Sequence, residues 1–252
     1  MNIVMLVGEG DSSKIVYNGL IKDFDIKMVI EDTAISRKYF LKRRIKKLGF
    51  IKVLGQMLFI LYNKWLLVKS KDRINVIKME NELSSKFYPK KKFIKVKSVN
   101  SQETIQLLLQ TSPDIVIVNG TRIISRKVLQ NIDAVFINTH VGITPKYRGV
   151  HGGYWALVND DIENCGVSVH LVDEGIDTGG VLYQDVIEIN NLDNFNTYPY
   201  LQISKAIPLI KKAINDVISG AIVEKKIINS DSFLFYHPTI LEYFRNRLKG
   251  IK

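Results

Sequence analysis

The chain has 252 residues, 46% of them hydrophobic and 24% charged, a size and balance that suit one globular core with a small appendage. Its single cysteine, Cys165, excludes an internal disulfide and a thiolate metal cluster, so a reducing cytoplasm is the simplest compartment and packing the simplest role for the thiol. The formal charge of +11 is uneven: residues 37 to 97 hold 19 Lys or Arg against 3 Asp or Glu, which leaves the rest of the chain net acidic.

Met1 to Gly8 lacks the basic start and cleavage site of a signal peptide and is predicted as the first strand. Gly8-Glu-Gly-Asp-Ser-Ser13 then turns into a helix for which Ser12 or Ser13 is the expected cap. The turn misses the dinucleotide fingerprint, because Ser13 stands where a third glycine is needed. It misses the P-loop because no Gly-Lys-Ser/Thr follows, which argues against NAD and ATP. Two readings stay open there: a phosphate cradle built on Gly8, Gly10 and Ser12, or a plain tight turn.

Ile26 to Ile30 is a second predicted strand. From Ser36 to about Trp65 the apolar residues recur at three- and four-residue spacing in a basic background, predicting a long helix within an insertion around residues 36–90. The apolar window at Val53 to Tyr62, resumed at Trp65 to Val68, reads as shorter than an uninterrupted span of about 20 residues. A helix packed on the sheet, a flap, a homodimer face and a membrane-surface patch over residues 36–68 all fit it, and its charge fits a solvated face or attraction of phosphorylated substrates, a membrane or nucleic acid. A helix over Asn75 to Phe87, a strand over Lys90 to Val96 and a helix over Ser101 to Gln110, capped by Ser98 or Ser101, follow. Asp114 to Asn119 is predicted as the central strand, because an unbroken β-branched run suits a sheet covered on both faces.

Ala134 to Ile137 is a short apolar run that stops at Asn138-Thr-His140. Ligands of an open parallel sheet bind beyond the carboxyl ends of its strands, and alternate residues of extended chain share a face, so Asn138 and His140 are expected together in the crevice. A glycine-rich loop from Val141 to Gly149, a helix over Val150 to Val158 and a strand over Gly166 to Val172 lead into the acidic turn Asp173 to Gly180. An amide, an imidazole and a carboxylate at one crevice suit acyl transfer to an amine. Asn138 and a protonated His140 would hold the oxyanion, while Asp177 raises the pKa of the histidine and helps move the amine proton.

Four segments in this order resemble the folate-dependent formyltransferases, the family of glycinamide ribonucleotide, methionyl-tRNA and amino-sugar formyltransferases. They are Ile137-Asn-Thr-His140, Thr144-Pro-Lys-Tyr-Arg-Gly149, Gly166-Val-Ser-Val-His170 and Asp177-Thr-Gly179. The resemblance implies an α/β fold with a Rossmann-like, mostly parallel sheet, 10-formyltetrahydrofolate as donor, no metal, and Asn138, His140 and Asp177 as the catalytic residues. It places Gly120, Arg122 and Ile124 on one side of the pterin and Val172, Asp173, Glu174 and Gly175 on the other. Lys146, Arg148 and His151 join Gly8, Gly10 and Ser12 as candidate acceptor contacts. The sequence departs from the family pattern at Val141-Gly142-Ile143, a loop that the resemblance places beside the acceptor.

Val181 to Ile189 is predicted as a strand antiparallel to its neighbour, Asn190 to Thr197 as a polar loop, and Ser204 to Ile218 as an amphipathic helix stopped by Gly220. Thr239 caps a closing helix, and His237, before a proline, reads as packing. The expected organisation is a catalytic domain over 1–220, insertion included, with 221–252 as a loop and helix packed on it. The chain ends soon after the last sheet-associated helix and carries an insertion that purine-pathway enzymes lack. The favoured acceptor is therefore a nucleotide-linked amino sugar, ahead of phosphoribosylglycinamide and of tRNA, with no nucleic acid expected as a partner. A non-catalytic folate or nucleotide-sugar binding module is the reading from a different class.

Overall fold

β-Branched runs bounded by Gly, Asn and Asp become strands, and the segments between them coil into helices that cover both faces of one sheet. The computed structural model describes residues 1–33, 36–227 and 231–252. The strands are β1 (Ile3–Gly8), β2 (Ile26–Asp32), β3 (Phe93–Val96), β4 (Ile115–Asn119), β5 (Val135–His140), β6 (Tyr147–Gly149), β7 (Gly166–Leu171), β8 (Val181–Val186) and β9 (Phe233–Phe235). Seven form a sheet in the order β3-β2-β1-β4-β5-β7-β8, parallel from β3 to β5, with β7 antiparallel to β5 and β8 antiparallel to β7. The chain runs outward from β1 to β3 and resumes at β4 on the other side of β1. The β1/β4 boundary is thus the topological switch point, where open sheets place their ligand crevice.

The helices are α1 (Asp11–Leu20), α2 (Arg37–Leu48), α3 (Phe50–Lys69), α4 (Lys71–Glu80), α5 (Gln102–Thr111), α6 (Arg126–Asn131), α7 (Gly152–Val158), α8 (Tyr198–Ser219) and α9 (Ile240–Leu248). The period-2 pleat divides the central strands between two cores: Ile3, Met5, Val7, Ile115 and Ile117 face α1 and α8, whereas Val4, Leu6, Val116 and Val118 pack with residues of α5 and α6. A third, aromatic cluster joins Phe59 of α3, Tyr154 of α7, Phe195 and Tyr243 of α9.

Several local expectations need correction. Neither Ser12 nor Ser13 caps α1; the cap position is Gly10, and the buried Ser13 hydroxyl instead donates to the Gly8 carbonyl at 2.8 Å and accepts from Asn119 at 3.1 Å, tying β1 to β4. The basic helix is two helices, broken at Gly49, whose φ of 82° ends α2. The 20 residues of α3 are long and apolar enough, by length and composition, to cross a bilayer, because Asn63-Lys64, expected to interrupt the span, lies within one continuous helix. α4 ends at Glu80 rather than Phe87, β3 is shorter than expected and β8 stops at Val186. α8 begins six residues early at Tyr198, carries Pro208 inside it, and ends at the left-handed Gly220 (φ 67°). The 141–149 loop also contains β6, which pairs in parallel with β9 near the C-terminus.

Candidate active site

β5 delivers Asn138 and His140 to one face of the sheet because they are alternate residues of an extended strand. The antiparallel β7 sets His170 directly opposite Asn138. The chain then turns back through Asp173 to Gly180 and places Asp177 against all three. Asp177 adopts a left-handed backbone (φ 51°), a conformation that costs a non-glycine residue free energy and concentrates at functional sites.

Asp177 is the hub. One carboxylate oxygen, Oδ2, accepts the Gly149 N–H at 3.0 Å and faces His140 Nδ1 at 3.3 Å. The other, Oδ1, faces Asn138 Nδ2 at 3.5 Å and His170 Nε2 at 3.7 Å. The Asn138 amide donates to His170 Nε2 at 3.0 Å, so the proton of that ring sits on Nδ1, 2.6 Å from the Leu171 carbonyl. His140 Nε2 donates to the Tyr147 carbonyl at 2.8 Å.

Burial lowers the pKa of His140 and outweighs the opposing field of Asp177. This corrects the expectation of a histidine raised and protonated by its carboxylate. Burial pushes Asp177 up, yet the neighbouring His170 and His140 rings and the Gly149 N–H together hold it below the usual carboxylate range. The resting pair is therefore a carboxylate beside a neutral imidazole whose Nε2 keeps its hydrogen. The Nδ1 lone pair and Oδ2 face each other at 3.3 Å, a repulsive contact that one added proton makes attractive.

These side chains border a cavity of about 350 Å³ at the carboxyl ends of β4 and β5. Gly120, Arg122, Ile124, Val172, Asp173 and Gly175 line it together with Asn138, His140, His170 and Asp177. The Arg122 side chain points its charge elsewhere: Nε pairs with Asp32 at 2.8 Å and Nη2 donates to the Thr33 carbonyl at 2.6 Å, so backbone and stem are what remain for a ligand. Asp173 accepts from the Gly175 N–H and the Thr178 hydroxyl, which fixes the turn, and Glu174 pairs with Arg126 at 3.1 Å.

The six candidate acceptor contacts are not gathered in this way. A Cβ on Gly8 would lie 2.0 Å from the Gly120 carbonyl, so that glycine permits β1 and β4 to approach; Gly10 faces open space. The Ser12 hydroxyl is 3.4 Å from Asn119 Nδ2. Lys146 pairs with Asp161, and Arg148 donates to the Ile176 carbonyl at 3.1 Å, bracing the turn that bears Asp177. His151 is half-buried, packs on Phe195 and shares a 3.0 Å hydrogen bond with His237. Cys165 is buried, with its thiol pushed up to about 12 by desolvation. His170 joins the site although its strand motif alone does not mark it as a site residue. The missing signal was the antiparallel register that puts residue 170 across from 138.

The sequence family described as formyl transferase matches residues 63–200. A curated methionyl-tRNA formyltransferase from Finegoldia magna is 40% identical over 96 residues, 38% of this chain, and the matched stretch spans only 31% of that relative's length. Among solved structures, a sugar N-formyltransferase from a Shewanella species is 16% identical with a TM-score of 0.57, covering 93% of this chain and 76% of the other. An N-formyltransferase from Helicobacter canadensis, solved with folinic acid and dTDP-3-aminofucose, is 18% identical with a TM-score of 0.55, over 93% and 71% of the two chains. At such identities the structural likeness establishes the shared fold.

Proposed function

The chain belongs to the formyl transferase family, and from that premise we propose that it moves a formyl group from 10-formyltetrahydrofolate to the primary amine of a nucleotide-linked amino sugar. The observation that carries the reading is the convergence of Asn138, His140, His170 and Asp177, from two strands and a turn, on one cavity. That cavity fits a flat bicyclic ring: its volume lies within the range of small-molecule pockets, Ile124, Val118 and Val172 supply apolar walls, and the 120–124 and 172–177 backbones supply hydrogen-bonding edges.

The bound donor supplies an electrophilic formyl carbon. In this reading the Asn138 amide, held by His170, donates to the formyl oxygen as negative charge develops on it. The His140–Asp177 pair takes up the proton that the attacking amine loses and returns it to the leaving folate nitrogen, so one C–N bond forms as another breaks and protons balance. Gly149 N–H and Tyr147 C=O fix the pair from the β6 side, and β9 holds β6 in place. We assign the chemistry to residues 1–220, with 221–252 bracing it through β9 and α9.

Nucleotide-linked amino sugars are supported as acceptors by the dTDP-amino-sugar complex of the Helicobacter canadensis neighbour. A second reading, with an amine carried on tRNA, is favoured by the 40% identity to a methionyl-tRNA formyltransferase and by the basic 37–97 stretch. Tetrahydrofolate release, followed with a panel of dTDP-, UDP- and GDP-linked amino sugars against methionyl-tRNA, tests both. Turnover with a nucleotide sugar and none with charged tRNA is expected; the reverse selects the second reading, and no release with any amine overturns both.

A further inference from the structure

We propose that the α2–α3 segment is a docking surface for an anionic lipid bilayer, on which the protein sits with α3 lying flat. This inference is independent of the formyl-transfer reading.

The starting observation is a stripe. Ile51, Leu54, Leu58, Leu61, Trp65 and Val68 recur at alternating three- and four-residue intervals, which puts them on one face of α3, and every one of them is exposed, Ile51 at 86%. The stripe runs the length of a helix of about 30 Å. Leu241 and Leu248 of α9, a helix that packs on α3, are also exposed, at 78% and 91%. Contiguous apolar surface of this extent marks an interaction site.

The opposite face of α3 is committed to the protein. Phe59 packs edge-on to Phe195, Gln56 donates to the His237 carbonyl at 2.7 Å, and Asn63 exchanges two amide hydrogen bonds with Asn196 at 3.1 and 2.9 Å. A helix tied down in this way cannot cross a bilayer without breaking those bonds. It can rest its free face in the headgroup region, the arrangement of interfacial helices.

Charge selects the occupant. Residues 37–69 contain ten Lys or Arg and no Asp or Glu. A second copy docked on the stripe would bring this segment against its own like charge, whereas an anionic bilayer offers an apolar interior and a negative surface together. Lys46 and Lys47, in the last turn of α2, stand at the start of the stripe, and Lys69 stands at its end. Their stems can lie along the acyl boundary while their ammonium groups reach lipid phosphates. Nucleic acid would meet the charge but has no use for the apolar stripe.

The test is cosedimentation of the full chain with vesicles of phosphatidylcholine, with and without about a quarter phosphatidylglycerol. Binding is expected with the anionic vesicles, at least about tenfold weaker with phosphatidylcholine alone, and reversed at high ionic strength. A combined Ile51→Ser, Leu61→Ser and Trp65→Ser variant is expected to lose it. A Lys42→Glu and Lys46→Glu variant, which leaves the stripe intact, is expected to weaken it, and the salt series on the unmodified chain guards against misfolded variants. Absence of binding to anionic vesicles, a stable dimer that the serine variant dissociates, or binding to a tRNA transcript in place of vesicles would each overturn the proposal.

Discussion

Gly142 lies in the loop where the sequence departs from the family pattern, and the structure gives a reason for glycine there. A Cβ at this position would lie 2.4 Å from the Tyr147 carbonyl oxygen and 2.7 Å from His140 Nε2, with the Gly152 Cα at 3.1 Å. The first two atoms are the acceptor and donor of the 2.8 Å hydrogen bond that orients His140. Gly142→Ala therefore inserts a methyl onto that bond, and at least one partner must move by roughly 1 Å. Overpacking of this kind costs about 1–3 kcal/mol, and a 1 Å misplacement of a reacting group costs on the order of a hundredfold in rate. The assay pairs thermal melting with turnover on the best acceptor of the panel. A fall of roughly 2–4 °C per kcal/mol and a kcat about a hundredfold lower are expected. Gly49→Ala serves as control: its φ of 82° strains the backbone, but a Cβ there meets nothing within 4 Å, so stability should fall by about 1 kcal/mol with kcat unchanged. A Gly142→Ala enzyme with unaltered melting and unaltered turnover would refute the link between this glycine and the histidine.

Arg73→Ala removes the partner of Asp193, whose side chain is fully buried and held at 2.8 and 3.2 Å. A loss of about 3 kcal/mol in urea unfolding is expected, partly recovered in the Arg73→Ala, Asp193→Ala double variant; additive losses would show that the pair does not couple α4 to the 190s loop. Burial lowers His237 from 6.5 to about 4 and His151 well below its usual value. The unfolded chain then binds more protons than the folded one between those limits, so this stability is complete above about pH 6.5 and is lost as pH falls toward 4. His237 alone accounts for about 3 kcal/mol. A urea midpoint unchanged between pH 7.5 and pH 5 would contradict it. His170→Ala frees the Asn138 amide, so kcat should fall by about tenfold or more while the donor KM holds; a rise in KM alone would make His170 a binding residue rather than a positioning one.

Much of this architecture was legible in the sequence because burial writes itself as periodicity. The unbroken apolar run of β4 announced a sheet covered on both faces, and Thr239 caps α9 as expected, in a capping box completed by Glu242. Asn138 and His140 were placed on one face by strand alternation, and Asp177 by its turn. What local pattern does not carry is long-range register. The pairing of Asn138 with His170, and of β6 with β9 across more than eighty residues, depends on which strand lies beside which. Nor does sequence weigh desolvation against charge: Asp177 stands next to His140 as expected, yet burial lowers the histidine that the carboxylate alone would raise. Gly49 was visible as a residue, but only its positive φ shows it dividing the basic helix.

The central claim is that the His140–Asp177 pair accepts the amine proton, and it is tested most directly by single-turnover formation of tetrahydrofolate in Asp177→Asn. That side chain keeps the shape of Asp177 and can still accept the Gly149 N–H while removing the charge that holds a proton. The expected result is a rate lower by about 10²–10⁴, with the affinity for folinic acid, measured by calorimetry, within a few-fold of the unmodified chain. A rate within about threefold of the unmodified chain, at unchanged affinity, would contradict the account.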